Sequence, residues 1–152
     1  VTALLDQAEA ATTQAAEIMG ALAALEGTRI QHTYPGPVFS ALIHRLQQRA
    51  IAGELTFCPH LSCTAPAPAF WCAWAPGRLR CASCAHATQK RIKGTPEDRR
   101  CDNCRAIVPT IHADMVQLPA VVVDLPPWPA GCVPPVTLMF GLCTACQQAD
   151  GA

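Results

Sequence analysis

The sequence predicts a small α+β protein in two unlike parts: a helical hairpin over residues 1–54, followed by short strands and short helices over residues 55–152. Three observations predict this. Apolar residues recur at helical spacing as far as Gly53 and not beyond it. Aromatic residues make up only 5% of the 152 positions, so the interior must pack through small side chains or be braced in some other way. Ten cysteines, all of them after residue 57, offer that bracing.

In the first 27 residues, Val1, Leu4, Ala8, Ala11, Ala15, Ile18, Leu22 and Leu25 follow one another in steps of three and four, a heptad seam. A helix of that length extends roughly 38 Å at about 1.5 Å per residue. Its central alanines admit a close neighbour but bury little area. Gly20 costs about 1 kcal/mol against alanine, so the helix needs tertiary support. Residues 28–36 read as a connection, and Pro37 suits the first turn of a second helix ending at Gly53. Phe39, Leu42, Ile43, Leu46 and Ala50 form its apolar face, with Arg45, Gln48 and Arg49 outside. The two helices are expected to pair as a hairpin arm. The alternative is that the alanine-rich seam pairs with another protein or with a second copy of the chain.

Past Gly53 the texture changes to cysteine pairs and prolines. The segments 70–74 and 78–80 flank the turn Ala75-Pro76-Gly77 and read as a hairpin, with Trp71 and Trp74 as its core or, alternatively, as platforms for stacking bases. Residues 85–92 read as a short helix closed by Lys93-Gly94-Thr95-Pro96. Residues 120–123 and 136–140 are strand candidates joined by a proline-rich link at 126–131. Two modules are therefore expected, at 55–98 and 99–152.

The first thirty residues have no positively charged leader, and Asp6, Glu9, Glu17 and Glu26 interrupt each apolar run, so no export signal is read there. No segment has the uninterrupted apolar length of a membrane span. The expectation is a cytoplasmic protein, where paired cysteines serve as thiolate ligands rather than disulfides. Candidate ligands fall in four groups: Cys58 with His60, Cys81 with Cys84, Cys101 with Cys104, and Cys143 with Cys146. A C-x-x-C pair turns two sulfurs toward one ion from a tight turn. Sixteen residues separate Cys84 from Cys101, a spacing that fits a single four-cysteine zinc ribbon, but they are helix formers and a charged turn instead of a β-hairpin. The order of knuckle, hairpin and C-x-x-C opening a helix occurs twice.

That order, over roughly residues 58–147, resembles the treble-clef zinc finger, whose last two ligands come from the first turn of a helix. The resemblance implies tandem sites, Cys58/His60/Cys81/Cys84 and Cys101/Cys104/Cys143/Cys146. A cross-brace pairing of the first group with the third and the second with the fourth is the alternative. Cys63 is a competing ligand to His60, whereas Cys72 and Cys132 read as small buried hydrophobes. His86 and His112 are left outside both ligand sets. Closed four-ligand sites make the expected cofactor two structural zinc ions per chain. Two filled sites take the formally neutral chain to a charge of about −3.

Charge is unevenly placed. Residues 55–105 carry eight of the eleven basic side chains: Arg78, Arg80, Lys90, Arg91, Lys93, Arg99, Arg100 and Arg105. They form a candidate DNA- or RNA-phosphate face. The competing reading is a solvated surface partly neutralised by zinc thiolates. The second module is also similar to the HNH endonucleases, a resemblance that makes His112 the general-base candidate. Ile111 and Gln147 depart from that family's pattern, so no enzyme is expected. The expected function is a non-catalytic zinc-binding interaction or scaffold protein, whose helical arm meets a partner or a second copy. Nucleic-acid binding is the alternative.

Overall fold

The computed structural model describes residues 29–31, 36–61, 69–118 and 136–151, together with Asp6, Ala10, Thr13, Gln14, Ala16, Glu17, Gly20, Ala21 and Ala24, all nine of them helical. The seam residues Val1, Leu4, Ala8, Ala11, Ala15, Ile18, Leu22 and Leu25 lie outside the described residues. So do Cys63, Cys132 and the strand expected at 120–123.

A single mixed sheet runs through both cysteine-rich parts. In chain order the elements are β1 (Arg29–Gln31), α1 (Pro37–Ile51), β2 (Thr56–Phe57), β3 (Ala69–Cys72), β4 (Arg78–Arg80), α2 (Ala82–Ile92), a 3-10 turn (Pro96–Arg99), β5 (His112–Leu118), β6 (Val136–Leu142) and α3 (Thr144–Ala149). The strand order is β1-β5-β6-β3-β4-β2. Two antiparallel hairpins, β3–β4 and β5–β6, meet edge to edge where β3 pairs parallel with β6, placing Ala69 opposite Val136 and Cys72 opposite Met139. Residues 28–36 are therefore more than a connection, since β1 pairs with β5.

Strands β3 and β6 are buried at every position, so their sequences show no in–out alternation. Helices cover both faces. On one side Phe39, Leu42 and Leu46 of α1 join Trp71, Leu138 and Phe140, with the Phe39 and Phe140 rings 5.9 Å apart. On the other, Ala85 of α2 joins Phe70, Cys72, Met115 and Met139. Trp71 is fully buried, and its Nε1 donates to Pro76 O at 3.0 Å, fixing the hairpin turn.

The expectation of a helical arm that ends at residue 54 is corrected for its second helix. The face of α1 has the predicted composition, but it lies against the sheet and is part of the main core. The physical reason is area: Phe39, Leu42, Ile43 and Leu46 need a large apolar partner, and the sheet provides one that an alanine-rich seam cannot. Polar contacts fix the same arrangement. The α1 N-terminus begins Gly36-Pro37 and has no capping side chain of its own. Its cap comes from Asp150, whose Oδ1 accepts from Val38 N at 2.8 Å and Phe39 N at 3.3 Å, while Gly36 N donates to Asp150 O at 3.2 Å. A Cβ on residue 36 would lie 3.1 Å from that carbonyl, which explains a glycine there. Farther along α1, Arg45 donates to Asp102 O at 2.8 Å.

Candidate metal centres

Both ligand clusters are built by the same local devices. Cys81 and Cys143 are the N-caps of α2 and α3, with φ/ψ of −69°/167° and −68°/161°. In each, the cap carbonyl accepts from the amide four residues on, Ala85 or Gln147, at 2.9 Å, so the first turn carries Cys84 or Cys146 round to the same side as the cap. The facing ligands come from turns fastened to the second strand of each hairpin. Cys58 N donates to Leu79 O and Asp102 N to Gly141 O, both at 2.8 Å.

The structure brings together Cys58, His60, Cys81 and Cys84 in one cluster and Cys101, Cys104, Cys143 and Cys146 in the other, with all ligand atoms of a cluster within 4.8 Å of one another. The pairs 81/84 and 101/104 thus serve different clusters, unlike a single ribbon site, and Cys58 with His60 joins 81/84 rather than 101/104, as in the tandem arrangement and unlike the cross-brace. None of the described cysteines is in a disulfide. A tetrahedral ion with metal–sulfur bonds of about 2.3 Å has sulfur–sulfur edges of roughly 3.8 Å. Cys58–Cys81 and Cys104–Cys143 both measure 3.8 Å. Cys58–Cys84 at 3.4 Å is tighter than that edge, and Cys84 to His60 Nδ1 at 3.3 Å and Cys58 to His60 Nδ1 at 3.0 Å are tighter than the roughly 3.6 Å of a sulfur–nitrogen edge. Each cluster can hold one metal ion with four protein ligands.

The thiols are unequal. Burial would raise Cys58, but the Cys81 and His60 amides, helped by Cys84 and His60 side-chain contacts, outweigh it and bring the pKa down to about 6. Cys101 falls to about 7 in the same way, against burial, through the amides of Cys143, Cys104 and Asn103. Cys84 is pushed up to about 11 by its contacts with the Cys58 and Cys81 sulfurs. Cys146 accepts from Asn103 Nδ2 at 3.3 Å, which lowers it, yet burial and the neighbouring thiols carry it to about 12. One sulfur per cluster, Cys58 or Cys101, is shifted toward ionisation, whereas Cys84, Cys104 and Cys146 are shifted away from it and need a cation's charge to ionise. Cys72 is an inert contrast: it is fully buried in the α2 face of the sheet, and burial pushes it up to about 12.

The eight basic residues do not form one free face. Arg80 donates to Ala75 O and Arg78 O, Arg78 Nε lies 3.4 Å from Thr56 Oγ1, Arg100 is paired with Glu97 at 2.8 Å, and Arg105 faces Asp102 at 3.8 Å. Lys90, Arg91, Lys93 and Arg99 are exposed and make no ion pair among the described residues. His112 Nε2 lies 3.1 Å from Thr144 Oγ1, beside the second cluster.

Two aspartates escaped the sequence reading. Asp102 Oδ2 accepts from Gly141 N at 2.8 Å, and burial raises its carboxyl to about 6 despite that bond and the nearby Arg105 and Arg45. Asp150 caps α1. The turn-forming Asp102-Asn103 between two cysteines was a usable local signal for the first; nothing local marks the second.

No protein-family model, curated protein or solved structure matches the chain. Among the described residues no helix is long and apolar enough to cross a membrane. The fold and clusters define a small α+β protein with two candidate metal-binding sites.

Proposed function

We propose that the chain is a non-catalytic zinc protein in which two structural ions hold two treble-clef-like units, and that it acts by presenting its surface to a partner. The observation that carries this reading is the completeness of each ligand set: four protein ligands at tetrahedral spacing leave no open position on the ion for water or substrate. Thiolate-rich tetrahedral sets favour zinc or iron–sulfur chemistry, and an imidazole among the first four favours zinc. The chain is taken to work in a reducing, cytoplasmic setting. The seam in the first 27 residues is its proposed contact for a protein partner or a second copy.

Native mass spectrometry of protein purified without added metal or chelator tests the reading. Two zinc ions per chain are expected. One ion, or none with a mass deficit for oxidised thiol pairs, sinks it. A dimer in the same spectrum supports self-association through the seam.

Lys90, Arg91, Lys93 and Arg99, exposed and without an ion pair among the described residues, favour nucleic-acid binding as the second reading. Binding of a DNA or RNA oligonucleotide should then weaken steeply with added salt and fall in the Arg91→Glu, Arg99→Glu double variant. Absence of binding at low salt ends that reading. Nuclease action is not proposed; metal-dependent cleavage that disappears in His112→Ala would reverse this.

A further inference from the structure

Among the described residues, three buried polar side-chain atoms have no hydrogen-bond partner: Trp74 Nε1, His86 Nδ1 and Asp102 Oδ1. Buried polar atoms are nearly always satisfied; Asp102 Oδ1 has only a loose ion pair with Arg105 at 3.8 Å, and Trp74 Nε1 and His86 Nδ1 call for a partner. All three residues line two adjoining recesses between α2 and the β5–β6 hairpin. The outer recess has a volume of about 350 Å³, with His86, Lys90, Lys93 and Arg99 on its wall. The inner, of about 70 Å³, is lined by Trp74, Asp102, Met115 and Met139. Gln89, Asp98, Ile111 and Ala113 belong to both.

The basic end is a consequence of helix geometry. His86 and Lys90 are spaced i, i+4 on one face of α2, Lys93 follows as its C-cap residue, and Arg99 reaches the same recess from the 3-10 turn. In the outer recess three cations against Asp98 leave a local charge of +2, with Asp98 Oδ2 engaged by Gly94 N at 3.0 Å; the inner wall sets Arg100 against Glu97, Asp102 and Asp114, so the positive charge is confined to the outer end. A phosphomonoester carries about −1.5 to −2 at neutral pH. The outer volume lies at the lower end of the roughly 300–1,000 Å³ typical of small-molecule sites, which suits one compact ligand.

We propose that this cleft binds a small phosphorylated molecule of nucleoside-monophosphate size, its phosphate held by Lys90, Lys93 and Arg99 and its polar groups directed at Trp74 Nε1 and Asp102 Oδ1. The site is a cavity for one phosphate group, so it does not depend on the nucleic-acid reading: a chain that binds no oligonucleotide still binds this ligand.

The test is calorimetric titration of the metal-loaded full chain, at low ionic strength, with adenosine 5′-monophosphate and with inorganic phosphate. The monophosphate is expected to bind one to one, at least tenfold more tightly than phosphate. Lys93→Glu with Arg99→Glu should weaken it at least tenfold at unchanged metal content. Arg91→Glu, on the same helix but outside the cavity wall, should leave it within twofold. Trp74→Phe should weaken the monophosphate while sparing phosphate. No binding of either probe, or an Arg91→Glu loss as large as that of the double variant, overturns the proposal.

Discussion

In the first cluster only Cys58 is buried and His60 is exposed, whereas in the second Cys101, Cys143 and Cys146 are all buried and belong to the core that contains Phe39, Leu42 and Phe140. The local plan is the same, yet one ion would brace a unit near the surface and the other would sit inside the packing of α1 and the sheet. The helix contacts sharpen the contrast. Asp150 and Asp102 bind α1 by its N-terminus and by Arg45, and both are tied to second-cluster ligands: Asp102 directly follows Cys101, and Asp150 N donates to Cys146 O at 3.1 Å. The difference teaches that a repeated ligand pattern fixes where an ion sits but not how much of the fold rests on it; depth decides that.

The largest effect should separate the clusters directly. Cys101→Ser is expected to lose its ion and, with it, the near-ultraviolet dichroism and cooperative melting of the whole sheet. His60→Ala is expected to lose one ion while a cooperative melt survives at lower temperature. Equal damage from both variants would mean that depth is not what distinguishes the sites. Next in size is Asp150→Ala, which strips the cap from α1 without touching a ligand. Urea unfolding should show a loss of about 1–2 kcal/mol at unchanged metal content. The smallest concerns the second knuckle alone. Arg105, at φ 66°, is the only non-glycine with positive φ among the described residues. Glycine there removes a left-handed strain of about 1 kcal/mol, so Arg105→Gly should raise stability by up to about that amount, less whatever the loose contact with Asp102 contributes. A destabilised variant would show that the contact outweighs the strain.

What the sequence made legible was local. Ala75-Pro76-Gly77 marks the turn of the first hairpin, and helix formers between Cys84 and Cys101 argue that those two pairs part company, as they do. What it hid was long-range. Asp150 meets Val38 across 112 positions, and no pattern in either neighbourhood announces the other. The sequence points to the valine-rich residues 120–123 as the strand beside β6, but among the described residues its antiparallel partner is β5, in register from His112 opposite Leu142 to Leu118 opposite Val136. Asp114 obscured it by placing a charge at a buried position. Side-chain propensity favoured the valines, whereas strand position is set by the pairing partner.

The parallel seam between β3 and β6 has a consequence for dissection of the chain. Each hairpin covers the other's open border with main-chain hydrogen bonds, so neither cysteine-rich part is a self-sufficient unit that could be cut out and carried elsewhere. A fragment ending before residue 100 would keep all four ligands of the first cluster and still present β3 as a bare, wholly apolar edge, Ala69-Phe70-Trp71-Cys72. Such an edge recruits another strand, so the isolated part should aggregate or pair with itself even when fully loaded with metal.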